Sequence, residues 1–461
     1  MLLKAVDRDL LKKYDMPGPR YTSYPTAPVF TGSFDAKAYQ SAIIQNNRPG
    51  SAEDLLLYLH IPFCYSLCYF CGCTTLITKN RQLVAEYLEY LKKEIDLVVR
   101  HIAHRRKVVQ IHLGGGSPSY LRPEEIEELM LFLQERFRFA PNVETGIEID
   151  PRGIAFDQLL AMRRAGLNRV SIGVQDFDPQ VQAAVSRVQS EELTRKVFAW
   201  CRALSFDSIN ADLIYGLPLQ SEESFQETIE KMIEIAPDRI ALFNFAYIPW
   251  MKPHQKLIHR EDLPSAEIKL AILKMAIERF TSAGYMYIGM DHFAKKGDEL
   301  AVAQANKTLH RNFQGYSTRS GSDLYAFGMS AISHFGNIYA QNHKILKDYY
   351  AAIDAGHLPT AIGYQMTEDD VIRNHVIMRL MCDLEVTKTS IERKFKIDFD
   401  EYFDGEWERI NALARDGLVI HDVSVIRVTA VGRLFLRNIA MCFDATLKNR
   451  LNEKPVFSRT V

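Results

Sequence analysis

Short apolar, β-branched runs alternate with amphipathic stretches through the first half of the chain, the pattern of βα units on a parallel sheet. Residues 55–61 read as a first strand and residues 81–99 as a helix with Leu83, Tyr87, Leu91 and Ile95 at helical spacing. A second strand at 108–113 runs into Gly114-Gly115-Gly116-Ser117-Pro118-Ser119. A helix then begins at Pro123-Glu124-Glu125, where proline and acidic residues suit an N-terminus. The units repeat, with strands at 145–149, 169–174, 208–214 and 239–244 and helices at 156–165, between 179 and 204, and at 221–235. Six strands closed by helical material predict an α/β fold, a partial (β/α)6 TIM-like barrel with its functional groups at the C-terminal strand ends. The cysteines that follow residue 61, the glycine turn, Asp150 and Gln175 would share that rim.

Beyond residue 362 the rhythm changes. Helical stretches at 367–381, 389–395 and 402–415 precede strand-like runs at 418–421 and 425–428 and a last helix from 429, a small, mostly helical domain with a winged-helix-like plan. At 461 residues the chain exceeds the size at which one core stops growing. The expected division is an N-terminal arm at 1–45, a catalytic barrel with its extension at 46–361, and the C-terminal helical domain at 362–461. Pro17, Pro19, Pro25 and Pro28 should keep the arm extended.

Charge narrows the partners. With 56 basic and 57 acidic side chains, no global field attracts nucleic acid or an anionic membrane. The winged-helix-like region is mixed in charge, which favours a lid or docking role over DNA binding. No apolar run approaches the roughly 20 residues of a membrane helix. The first nine residues lack the apolar centre of a signal peptide. Seven cysteines, four of them clustered, do not form a secreted disulfide framework, so a reducing cytoplasm is expected.

The cluster itself reads Cys64-Tyr65-Ser66-Leu67-Cys68-Tyr69-Phe70-Cys71-Gly72-Cys73. A zinc site would usually pair two such elements far apart, and no second pair follows. His60 and His112 could complete one, although a histidine at a strand end is more often a hydrogen-bonded core residue. Cys-x3-Cys-x2-Cys instead places three thiolates around one corner of a cubane cluster and leaves a fourth iron open. Cys201, Cys382 and Cys442 fall in helical patterns as core thiols. The glycine turn allows close backbone approach to a polar cofactor, and a plain tight turn is the competing reading. Glu148 and Asp150 alternate on one face of a strand end, where two solvated acids are the plain alternative. Asp212 could equally cap the following helix.

Cys64, Cys68 and Cys71 after His60-Ile61-Pro62-Phe63 resemble the radical S-adenosylmethionine (SAM) superfamily. Cys71-Gly72-Cys73, Arg20-Tyr21-Thr22-Ser23-Tyr24-Pro25-Thr26 and Gly328-Met329-Ser330-Ala331-Ile332-Ser333 are similar, within it, to the oxygen-independent coproporphyrinogen III oxidase family. The resemblance implies one [4Fe-4S] cluster on Cys64, Cys68 and Cys71 and two molecules of SAM, one on the open iron. A 5′-deoxyadenosyl radical would take hydrogen from the β-carbon of a propionate, carbon dioxide would leave, and an external acceptor of unknown identity would take the remaining electron. Done twice, this converts coproporphyrinogen III to protoporphyrinogen IX.

The same resemblance implies Tyr58, Gly115, Glu148, Ala246 and Ile332 around the first SAM. Around the second it implies Phe70, Gly116, Ser117, Gln175, Arg187 and Asp212. Ser117 and Ser119 stand where relatives commonly have threonine, and a hydroxyl remains. Arg20, Arg152 and Arg319 are candidates for the substrate's carboxylates, because planar bidentate pairing fixes a propionate. Gln314 is a further catalytic candidate on the substrate side, and the arm is expected to help close the site. A flavodoxin or ferredoxin donor, a monomer, no nucleic acid and no membrane insertion complete the expectation. Alternatives are a haem chaperone or a haem-processing radical SAM methyltransferase of the same superfamily, or a regulatory iron-sulfur protein. Chaperone-like relatives commonly lack Cys73 and the arm motif.

Overall fold

The computed structural model describes residues 8–51, 54–447 and 457–460, so the outer ends of the expected arm and C-terminal domain lie outside the described residues. Six parallel strands stand side by side in chain order: β1 (Asp54–Ile61), β2 (Lys107–Gly115), β3 (Phe139–Ile149), β4 (Arg169–Gln175), β5 (Ser208–Tyr215) and β6 (Arg239–Asn244). Parallel neighbours need crossovers, and α1 (Arg81–Val99), α2 (Pro123–Arg136), α3 (Phe156–Arg164), α4 (Glu191–Ala203) and α5 (Glu222–Ile235) supply them. Burial explains why the strands were legible: Leu55, Leu57, Leu59 and Ile61 of β1 are enclosed, as are Val108, Ile111 and Leu113 of β2. On α1 the enclosed stripe is Val84, Tyr87, Leu88, Leu91, Ile95 and Val98, and Asn80 caps the helix by accepting from the Gln82 amide.

The sheet is larger than the six-stranded expectation and stays open. Beyond β6 lies an antiparallel hairpin, β7 (Tyr285–Gly289) and β8 (His292–Lys295), with β8 against β6. On the other flank a seventh parallel strand, β9 (Asp323–Phe327), pairs with β1. The sheet then continues antiparallel through β10 (Ile332–Phe335), β11 (Ile338–Asn342) and β12 (Thr360–Gln365), giving twelve strands in all.

In the C-terminal region, helices Glu368–Asp383, Lys388–Phe395 and Trp407–Arg415 pack with a three-stranded sheet of Glu385–Thr387, Val419–His421 and Val425–Val428. The single helix expected at 402–415 is split. Phe399–Tyr402 ends early, and a 3-10 turn at Asp404–Glu406, containing Gly405, precedes Trp407. The last helix starts later than expected, as a turn at Gly432–Phe435 followed by Leu436–Met441.

The arm carries two helices, Arg8–Tyr14 and Ala36–Asn46, with the extended proline-rich strap between them. Arg437 donates to the carbonyls of Gly18 and Pro19, Tyr21 donates to Asp444 at 2.9 Å, and Asn374 donates to the Tyr24 carbonyl at 2.6 Å. Cys201, Cys382 and Cys442 are buried, as expected of core thiols. No helix among the described residues is long and apolar enough to cross a membrane.

Candidate active site

At the C-terminal rim a cavity of about 460 Å³ is walled by Cys64, Cys68 and Cys71 from the loop after β1, Gly115, Gly116 and Ser117 after β2, and Glu148 on β3. Phe70, Gln175, Arg187, Asp212 and Gln314 share that wall, so twelve of the fifteen expected residues are brought together. Tyr58, Ala246 and Ile332 lie outside it. The Tyr58 ring stacks on His112, itself a wall residue, with centroids 6.1 Å apart. The Ala246 carbonyl accepts from Gln255, and Ile332 opens β10 against an apolar cluster containing Phe30 and Tyr339.

The cysteine loop is tied down by groups that the sequence did not single out. Lys252 donates to the Cys73 carbonyl at 2.9 Å, His254 lies 2.8 Å from the Cys71 carbonyl, and Gln255 donates to the Phe70 carbonyl at 3.2 Å. Their only sequence signal is position, in the segment after the last barrel strand at the functional rim. His60 proves to be a buried core histidine, its Nε2 2.9 Å from the Thr74 carbonyl.

Local chain geometry builds the opposite wall. Gly115 has φ of +116°, and a Cβ there would sit 2.7 Å from the His60 ring. At Gly116 a Cβ would meet the Pro62 carbonyl at 2.6 Å, because the Gly116 amide bonds to the Ile61 carbonyl and the Ser117 amide to that of Phe63. Ser117 and Ser119 hydroxyls are 2.9 Å apart, and the Ser119 oxygen accepts from the Asp150 amide. Gln175 has φ of +69°, in the left-handed region, where β4 and β5 shift register.

The strand-end acids are engaged rather than freely solvated. Glu148 accepts from the Gly115 amide at 3.2 Å and lies 3.3 Å from His112 Nε2. Burial works against the charge of Asp150, but the guanidiniums of Arg187 and Arg152 hold its carboxyl below the usual range. Asp212 caps no helix: it accepts from Ser171 Oγ at 2.9 Å and Asn210 Nδ2 at 2.7 Å, while Ser221 caps α5. Burial, helped by the charge of Glu148 and opposed by those hydrogen bonds, pushes the Asp212 carboxyl from 3.8 to about 6. Its contribution to stability is therefore complete below 3.8 and lost as pH rises through about 6, a difference of at most about 3 kcal/mol. Asp212→Asn should remove that loss. The melting temperature of the variant relative to the parent is expected to be higher at pH 7 than at pH 4, and an unchanged difference would show that Asp212 is not buried as a charge.

The thiols carry the clearest chemical signature. Burial, together with the neighbouring Cys71, Cys68 and Asp150, pushes the Cys64 thiol up to about 12 against the pull of Arg187. A hydrogen bond from Cys73 lowers Cys71 to about 6, aided by the Cys73 backbone, Lys252 and His254. Two guanidiniums point at one sulfur, Arg152 Nη2 at 3.4 Å and Arg187 Nη1 at 3.6 Å from Cys68 Sγ. Among the described residues no group of three or more His, Cys, Asp or Glu side chains could hold a single metal ion. Clustered thiols beside paired guanidiniums and a side-chain-free glycine turn fit a multi-iron cluster with a polar cofactor against it.

The expected carboxylate ligands need correction. Arg20 does not line the cavity; its guanidinium donates to the Asn244 carbonyl at the end of β6 and lies 3.6 Å from Asp291. Arg319 is not in the wall either, and Arg152, which is, is committed to Asp150 and Cys68. No described residue of the arm lines the cavity: the strap is held instead by Arg437, Asp444 and Asn374. Gln314 keeps its amide nitrogen buried and without a hydrogen-bond partner in the cavity wall.

A three-thiol loop on the first strand of a parallel βα barrel, facing a glycine turn on the second, defines a radical SAM protein, and the Radical SAM superfamily model matches residues 58–232. The HemN C-terminal domain model matches residues 366–435. The oxygen-independent coproporphyrinogen III oxidase of Synechocystis sp. is 45% identical across 98% of this chain and 97% of its own length, and that of Escherichia coli K12 is 44% identical across 100% of each. The solved coproporphyrinogen III oxidase (HemN) from Escherichia coli, described as a radical SAM enzyme, superposes with a TM-score of 0.90 at 44% identity, covering 95% of this chain and 99% of that one. The chain belongs to the oxygen-independent coproporphyrinogen III oxidase family. That membership implies SAM and a [4Fe-4S] cluster as cofactors.

Proposed function

We propose that this chain catalyses the anaerobic oxidative decarboxylation of two propionate side chains of coproporphyrinogen III to vinyl groups, giving protoporphyrinogen IX in haem biosynthesis. The observation that carries this reading is the gathering of three opposed thiols, the glycine turn and the strand-end polar groups around one cavity. When bound, a [4Fe-4S] cluster and SAM supply the one-electron chemistry that removes a hydrogen atom from the substrate.

Cys64, Cys68 and Cys71 hold the cluster, and Arg152 and Arg187 stabilise negative charge on the Cys68 sulfur by charge-assisted hydrogen bonding. Gly115 and Glu148 hold the first SAM, and the family resemblance adds Tyr58, Ala246 and Ile332 to that set. Phe70, Gly116, Ser117, Gln175, Arg187 and Asp212 hold a second. Gln314 offers its unpaired amide to the substrate. Each propionate loses one hydrogen atom, one electron and carbon dioxide, and the electron passes to an external acceptor. A flavodoxin or ferredoxin supplies the reducing electron, and the protein acts as a cytoplasmic monomer.

The test is anaerobic reconstitution followed by incubation with reductant, SAM and coproporphyrinogen III. Protoporphyrinogen IX with 5′-deoxyadenosine is the expected outcome. Deoxyadenosine without decarboxylation, or a methylated tetrapyrrole, would assign the chain to a different reaction of the superfamily.

A further inference from the structure

Six basic side chains line the cavity, and all six face carboxylates. Arg152 and Arg187 pair with Asp150, Arg169 with Glu144 and Glu299, Arg239 with Asp298 and Glu299, and His112 with Glu148. His292 differs. Its Nδ1 is 2.7 Å from Asp291 Oδ1, and Asp291 lies outside the cavity wall. Its Nε2 has no hydrogen-bond partner among the described residues and lies 3.4 Å from where a Cβ of Gly315 would be, while the residue itself lines the cavity.

The His292 ring is packed among aromatic side chains. Tyr316 and Phe243 meet it edge-on, at 5.2 Å and 6.0 Å between centroids, and both also line the cavity. Asp291 is buried, and burial opposes its charge, but His292, Arg311 and Arg20 together keep its carboxyl well below the usual range. A carboxylate can only accept, so Nδ1 carries the hydrogen. A neutral His292 then presents a lone pair at Nε2, which repels an anion, while a protonated one presents an N–H donor. The strand bearing His292 stands at the flank of the sheet beyond β6, remote in strand order from the cysteine loop after β1.

We propose that the protonated His292 imidazole, backed by Asp291, anchors one propionate carboxylate of the tetrapyrrole away from the reacting side chain. This rests on the coproporphyrinogen reading of the cavity. Asp291 from the adjoining turn, Asp212 from β5 and Tyr316 from the Gly315–Ser317 strand face the ring or its immediate surroundings, and Arg20 from the arm and Arg311 act on it through Asp291.

The test is equilibrium binding, by porphyrin fluorescence, of coproporphyrin III and of its tetramethyl ester to the reconstituted protein. The parent is expected to prefer the free acid. His292→Gln should weaken acid binding about tenfold, leaving ester binding unchanged as the control for an intact cavity. Asp291→Asn should weaken acid binding in the same direction. An acid preference that survives in His292→Gln would overturn the assignment. Failure of the parent to bind either porphyrin would overturn the substrate reading itself, and this inference with it.

Discussion

Cys71→Ser protein, reconstituted anaerobically with iron and sulfide, is expected to retain less than about a tenth of the parental cluster and to show no turnover, because a cubane cluster with one iron already free of protein cannot lose a second thiolate. Cys64→Ser and Cys68→Ser should behave alike. Cys73→Ser should not: its thiol donates a hydrogen bond to Cys71, so its loss should alter the cluster's properties while leaving iron and sulfide content near parental. Iron and sulfide analysis with the visible spectrum separates the cases. Full cluster in Cys71→Ser, or loss of cluster in Cys73→Ser alone, would require a different ligand set.

Gly116→Ala should be the most damaging single methyl group at the site. The added Cβ would lie 2.6 Å from both the carbon and oxygen of the Pro62 carbonyl and 2.9 Å from the Phe63 amide nitrogen, all main-chain atoms at the root of the cysteine loop. The glycine turn and that loop are joined by two amide hydrogen bonds, so neither can withdraw without breaking the register between them. A stability loss of about 1–3 kcal/mol is expected, typical of overpacking. SAM affinity should fall about a hundredfold, since displacement of about 1 Å at a positioned site commonly costs that much. Isothermal binding of SAM to the reconstituted variant, alongside thermal unfolding, measures both. Parental affinity would show that the turn does not form the cofactor's wall.

Much of this arrangement is written locally. β1 and β2 are apolar runs because a parallel sheet buries both faces, and Gly115, Gly116, Glu148 and Gln175 fall at strand ends where a parallel barrel collects its chemistry, with Asp212 further inside β5. What was hidden is non-local. β9 pairs with β1 although the whole barrel lies between them in sequence, and no periodicity announces such a partner. Asp291 and His292 look like any hairpin turn until β8 lies antiparallel on β6, placing the histidine in the cavity wall and the aspartate behind it. Arg20 looked like a substrate ligand because guanidiniums suit carboxylates. Its position is instead set by the arm, which Arg437 grips at Gly18 and Pro19, and it reaches the Asn244 carbonyl and Asp291.

The three-plus-one division of the cysteines is tested most directly by Mössbauer spectroscopy of protein reconstituted with iron-57, before and after SAM is added. One iron in four should change its isomer shift and quadrupole splitting on SAM binding while the other three stay as they were, the signature of a cluster held by Cys64, Cys68 and Cys71 alone. Four irons indifferent to SAM would contradict it.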